Sequence, residues 1–179
     1  MRITVSSILF LATFLAFGQY GEDRASYFMI GVGGSIGFLS RDYNDGLFNT
    51  RNRKPSFNPT IVNLRFGSPI SNRAAIFGNA QLGRFNQQSG DIISNFINTQ
   101  LTIGGSFLLE NEKVYLLLKS GLSVLNRSLG INLSPGVGFV LNPKLNLEVE
   151  TSLNTYGRYN FTNYTLTDLR VMLHYTFGE

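Results

Sequence analysis

From residue 27 onward the chain repeats one pattern: a stretch of roughly ten residues in which apolar and polar side chains alternate, then a turn or loop. Alternation with a period of two is the signature of a strand with one greasy and one polar face. Residues 27–39 put Phe28, Ile30, Val32, Ile36 and Phe38 on one face and Gly31, Gly33, Ser35 and Gly37 on the other. Residues 57–66 set Thr60, Val62, Leu64 and Phe66 against Asn63 and Arg65. The run 74–85 is the least regular, because Phe77 falls on the polar side. The run 97–109 is the cleanest, with Ile97, Leu101, Ile103 and Phe107 opposing Asn98, Gln100 and Thr102. Runs at 114–124, 131–141 and 145–154 follow. In the second of these Pro135 removes a ladder donor and predicts an edge or a bulge. The eighth run, 165–177, closes the chain with Leu169, Val171, Leu173, Tyr175 and Phe177 on one face and Arg170, His174 and Thr176 on the other, Met172 being the exception.

No helical period and no capping box competes with this reading. Eight runs predict an all-β fold, an eight-stranded antiparallel up-and-down barrel. The connections divide by length. Tight turns are expected near 67–72, 110–113 and 142–144. Polar loops are expected at 40–56, 86–95 and 157–164, with a short link at 126–130. Short turns on one rim and longer loops on the other are the asymmetry of transmembrane barrels, with periplasmic turns and extracellular loops.

Charge decides which solvent meets the greasy face. Only 15% of residues are charged, below the roughly 25% of a soluble domain. The mid-strand charges are Arg65, Lys119, Glu148, Glu150, Asp168 and Arg170, and every one lies on a polar face rich in Gly, Ser, Asn, Thr and Gln. A sheet face turned to water carries more Lys and Glu than this. Three charges of each sign inside a closed barrel predict a neutral, paired lumen network, since unpaired buried charges cost roughly several kcal/mol each. An eight-stranded interior is filled by its own side chains, so a plugged lumen and not an open pore is expected. The greasy face then meets lipid, with both termini on the periplasmic side. The alternative is a secreted lipocalin-like binder, apolar inside and polar outside.

The first residues predict export. Arg2 precedes a short apolar run at 8–17, and Ala16 and Gly18 flank Phe17 as a signal peptidase requires. Cleavage after Gly18 is expected, leaving 19–179 as the barrel domain. The apolar run is too short to span a bilayer as a helix.

The resources for chemistry are few. There is no cysteine and one histidine, His174, so neither a thiolate nucleophile nor a transition-metal ligand set is available, and no cofactor is expected. Asp168 and Glu148 are candidates to orient His174, but a general base also needs a nucleophile within reach. A membrane-embedded lipid-A-modifying hydrolase is the enzymatic alternative, and the reading adopted is non-enzymatic. Net charge of +4 is spread along the chain and forms no stripe for nucleic acid. The most basic segment is 40–56, where Arg41, Arg51, Arg53 and Lys54 accompany Tyr43 and Phe48 as candidates for contact with lipopolysaccharide headgroups or another envelope protein. Tyr156, Tyr159, Phe161 and Tyr164 are expected to anchor the outer-leaflet interface.

Taken together, the leader, the eight runs and the terminal Leu169-x-Val171-x-Leu173-x-Tyr175-x-Phe177 resemble the small outer-membrane β-barrel family of Gram-negative bacteria, the eight-stranded porin-family barrels. The resemblance implies an outer-membrane protein acting as a structural or interaction subunit through its extracellular loops. It also implies that the terminal pattern is both an assembly signal, read by the outer-membrane insertion machinery, and part of an aromatic girdle.

Overall fold

A computed structural model describes residues 26–43, 54–89, 92–110, 112–159 and 162–177. All regular structure among them is β. Eight strands, β1 Tyr27–Tyr43, β2 Lys54–Pro69, β3 Ala74–Ser89, β4 Ile92–Leu108, β5 Val114–Leu125, β6 Ser128–Asn142, β7 Leu145–Tyr159 and β8 Thr162–Phe177, each pair antiparallel with the next. β8 returns to β1 from Phe28↔Phe177 to Tyr43↔Thr162, closing the barrel. Closure leaves no strand edge with unpaired backbone groups, the condition for crossing lipid with strands. The leader predicted at 1–18 lies outside the described residues.

Side-chain direction follows the alternation closely. Phe28, Ile30, Val32, Leu64, Leu101, Leu118, Ile131, Leu153 and Leu169 are among a band of exposed apolar residues encircling the barrel. From Phe28 to Phe38 a rise of about 3.3 Å per residue and a tilt of about 40° give a band about 25 Å tall, the height of a membrane barrel's apolar belt. At the rim where β1 begins and β8 ends, Phe28 pairs with Phe66 on one side and Phe177 on the other. Phe107 and Phe139 are exposed near the same rim, at the ends of β4 and β6.

Three expectations need correction. The polar segments predicted as loops at 86–95 and 157–164 are mostly strand: β3 runs to Ser89 and β4 starts at Ile92, while β7 runs to Tyr159 and β8 starts at Thr162. Likewise Arg41 and Tyr43 belong to β1 and Lys54 to β2, so the first loop is shorter than 40–56. Backbone pairing does not stop where the apolar belt stops: the ladder runs on to Tyr43↔Thr162 and Ser89↔Ile92. Pro135 produces no bulge. Leu133↔Leu153 and Gly136↔Glu150 keep one register across it, and it faces outward in the middle of β6. Only its missing N–H marks the position.

Close packing inside the wall requires small residues opposite large ones. Gly138 sits directly across from Tyr115, and a Cβ there would overlap the phenol ring. Gly67 stands in the same relation to Tyr27. Each bulky ring thus lies flat over a cross-strand glycine, which lets the floor of a narrow barrel hold two tyrosines.

Candidate functional site

The interior has three levels. Near the rim where β1 begins and β8 ends lie Tyr27, Tyr115 and Phe77. At the opposite end Phe85, Leu125, Tyr156 and Leu166 form an apolar cluster, with the half-buried Phe96 packed against it. Between them is a belt of charged and amide side chains, almost all sealed from solvent.

The belt is built by the inward faces of β2, β5, β7 and β8. Glu148 and Glu150 on β7 and Arg65 on β2 share inward parity with the Asn and Ser residues beside them. Arg65 donates from Nη1 to Glu148 Oε1 at 2.5 Å and from Nη2 to Oε2 at 2.7 Å, a two-pronged pair across the lumen. Tyr115 donates its hydroxyl to the same carboxylate at 2.6 Å. The Phe77 ring lies under the guanidinium, 4.3 Å from ring centre to Arg65 Cζ. Lys119 on β5 meets Glu150 Oε1 at 2.5 Å, and Arg65 Nη2 is 3.9 Å from that oxygen, joining the two pairs. Arg170 reaches Asp168 through Nε at 2.9 Å and donates from Nη1 to Gln100 Oε1 at 2.8 Å. All six charged residues expected in the lumen are therefore inside, in three opposite-sign pairs whose formal charges cancel.

Amides extend the belt. Gln100 donates to Asn154 at 2.9 Å, Asn132 donates to Asn154 and Ser152 at 2.9 and 2.8 Å, and the Ser123 and Tyr156 hydroxyls lie 2.9 Å apart, both near Asn98 Oδ1. The alternation puts Asn98, Gln100, Ser123, Asn132, Ser152 and Asn154 on polar faces; it does not say which of them meet across the lumen. Tyr156 corrects an expectation: it is 1% exposed and part of the interior cluster, so it is no outer-leaflet anchor. Its even position on β7, in step with Glu148 and Asn154, points it inward.

His174 is fully buried, with Nδ1 3.4 Å from Glu148 Oε2 and Nε2 3.3 Å from Asn63 Oδ1. Glu148 is beside it as expected. Asp168 is not, being engaged by Arg170. No hydroxyl among the described residues bonds to His174, and no group of three His, Cys, Asp or Glu among them is placed to hold a metal. On the opposite face of β8, Leu169, Val171, Leu173, Tyr175 and Phe177 are all exposed, and Tyr175 meets Phe177 edge-on with ring centres 4.8 Å apart. Of the basic loop, Phe48, Arg51 and Arg53 lie outside the described residues. For Arg41, Tyr43, Lys54, Tyr159 and Tyr164 only the strand backbone is described, and Phe161 lies outside.

A soluble lipocalin-like barrel would reverse this distribution, with apolar groups inside. Here the charges are inside and the apolar belt is outside, the arrangement of a barrel dissolved in lipid. No family model and no curated protein matches the chain. Solved structures do. Neisserial surface protein A superposes with a TM-score of 0.55 at 13% identity, covering 86% of this chain and 99% of that one. Ail, the attachment invasion locus protein of Yersinia pestis, gives 0.53 at 18% identity over 85% of this chain and 99% of its own. A second structure of Ail, in complex with the heparin analogue sucrose octasulfate, gives 0.52 at 16% identity over 85% and 99%. At these identities the likeness is one of fold: the chain has the fold of the small eight-stranded outer-membrane β-barrels.

Proposed function

We propose that the protein is a non-enzymatic integral outer-membrane barrel with a plugged interior, serving as a structural or interaction subunit through the hairpins and loops beyond its apolar belt. The observation that carries this reading is the pairing of Arg65, Lys119 and Arg170 with Glu148, Glu150 and Asp168 in a lumen capped by Phe85, Leu125, Tyr156 and Leu166. Such a filling leaves the wall as a scaffold and not as a conduit. Export begins at the leader, with cleavage after Gly18, and the termini remain periplasmic. The terminal strand's outward residues, Leu169 to Phe177 at alternate positions, serve as assembly signal and girdle. Partners are outer-membrane lipid and lipopolysaccharide, the insertion machinery during assembly, and an envelope protein at the basic loop of Arg41, Arg51, Arg53 and Lys54.

The test is expression in a Gram-negative host, followed by fractionation and planar-bilayer recording. Recovery in carbonate-washed outer membranes, a gel mobility that shifts on boiling, and no steady conductance are expected. A protein soluble without detergent would defeat the membrane reading. Stable open-channel steps would defeat the plug.

A further inference from the structure

On the wall's outer surface, Arg84 ends the apolar run of β3. It is exposed on the outward face of β3, immediately beyond Leu82, and pairs across the strand with Ile97. On the other side of Ile97 is the β5–β6 turn. Asn126 N–H donates to Ile97 O at 2.8 Å, and Ile97 N–H donates to Asn126 Oδ1 at 2.9 Å. Asn126 has φ of 52°, the left-handed conformation that asparagine tolerates, and this two-ended tie fixes the following residue, the exposed Arg127. Two arginines therefore flank Ile97, one strand to each side, their backbones about 10 Å apart at one strand spacing per step. Neither forms an ion pair among the described residues.

Their height matters. An outward arginine at the middle of a bilayer costs about 2–4 kcal/mol, falling to about 0–1 kcal/mol near the interface. Counted from Ala74 at the opposite rim, Arg84 lies about 25 Å up the tilted strand, at the top of the belt. Exposed Ile97 between the two arginines, with Leu82 and Leu129 further down their strands, supplies a surface for acyl chains. Guanidinium groups pair with phosphate by two parallel hydrogen bonds.

We infer that Arg84 and Arg127 clamp an outer-leaflet glycolipid bearing two phosphates, one phosphate to each guanidinium, with its acyl chains against Leu82, Ile97 and Leu129. The inference rests on the outer-membrane reading above. A lipid with one phosphate satisfies only one arginine, and free phosphate lacks the apolar contact, so two-phosphate glycolipid is the preferred occupant.

The test is native mass spectrometry of the full chain folded in detergent, offered bis-phosphorylated lipid A, mono-phosphorylated lipid A, phosphatidylglycerol, phosphatidylcholine or inorganic phosphate. Wild type should retain the bis-phosphorylated lipid about tenfold better than phosphatidylcholine, the worth of one charge-assisted contact or more. Arg84→Gln and Arg127→Gln should each reduce retention to the mono-phosphorylated level, and the double variant should abolish the preference. Arg127→Gln, in a turn, serves alone where Arg84→Gln does not fold. Arg73→Gln, at the other rim, should change nothing. Equal retention of phosphatidylglycerol or inorganic phosphate, equal loss in Arg73→Gln, or a preference surviving the double variant would overturn the clamp. A wild-type chain with no heat-modifiable mobility would instead overturn the barrel reading, and the clamp with it.

Discussion

Replacing Glu148 by glutamine probes the interior with almost no change of shape. The carboxylate accepts both prongs of Arg65, at 2.5 and 2.7 Å, and the Tyr115 hydroxyl at 2.6 Å. Glutamine keeps the volume, so no cavity forms, but it removes the charge and one acceptor oxygen. Arg65 is 2% exposed, and its other anionic neighbour, Glu150, is 3.9 Å away and already paired with Lys119. The glutamine amide oxygen still accepts one prong, and the Phe77 ring stays under the guanidinium in both proteins. Removing one partner of a buried pair costs about 3–5 kcal/mol, because the other charge is left buried alone. The expected loss for Glu148→Gln is therefore about 3 kcal/mol, toward the low end of that range. Removing both partners, as Arg65→Met with Glu148→Leu, strands no charge; it takes the hydrogen bond of the Tyr115 hydroxyl, at about 1–3 kcal/mol, and the carboxylate 3.4 Å from His174 Nδ1. The double variant should be no less stable than Glu148→Gln. The chain has no tryptophan, so guanidinium unfolding from phospholipid vesicles is best followed by far-ultraviolet circular dichroism and heat-modifiable mobility. A loss below about 1 kcal/mol for Glu148→Gln, the range of a solvent-screened pair, would refute the sealed-belt reasoning.

Further predictions follow from other levels of the wall. Gly138→Ala forces a Cβ into the Tyr115 ring and should destabilise by about 1–3 kcal/mol in the same unfolding assay, and the double variant with Tyr115→Ala should lose less than the sum of the two single losses, because the clash is then gone. Val171→Arg, outward and 46% exposed in the belt, should cost about 2–4 kcal/mol in vesicles, whereas a neutral effect would argue that this face does not meet lipid. Pro135→Ala returns a backbone donor to a register that is already continuous and should stabilise by about 0.5–1.5 kcal/mol, read as a rise in the unfolding midpoint.

The alternation was legible because the strand period is short and strict. In β4 and β8 every outward residue named from the sequence is on the outer surface where its side chain is described. Strand ends were not legible. The segment 86–95 reads as a polar loop interrupted by Ile92 and Ile93, yet pairing continues through 86–89 and 92–95, because ladder bonds do not depend on lipid contact. Partner choice inside the lumen was also out of reach. Parity places Arg65 and Glu148 on inner faces, but that they meet across the barrel, 83 positions apart in sequence, follows from closure and stagger. Tyr156 shows composition misleading where parity would not: an aromatic beside a polar segment looks like an interface anchor, but its position in step with Glu148 sends it into the lumen.

The most direct test of a lipid-facing wall around a sealed lumen uses the absence of native cysteine. Single cysteines at Leu169, Val171 and Leu173, which face outward, and at Ser123, Ser134 and Ser152, which are buried inside, would be labelled in vesicles with a membrane-soluble and a charged aqueous maleimide. The outward positions should react with the first reagent only, and the inward positions with neither. Aqueous labelling of the β8 positions would contradict the lipid face, and aqueous labelling at Ser134 or Ser152 would contradict the sealed interior.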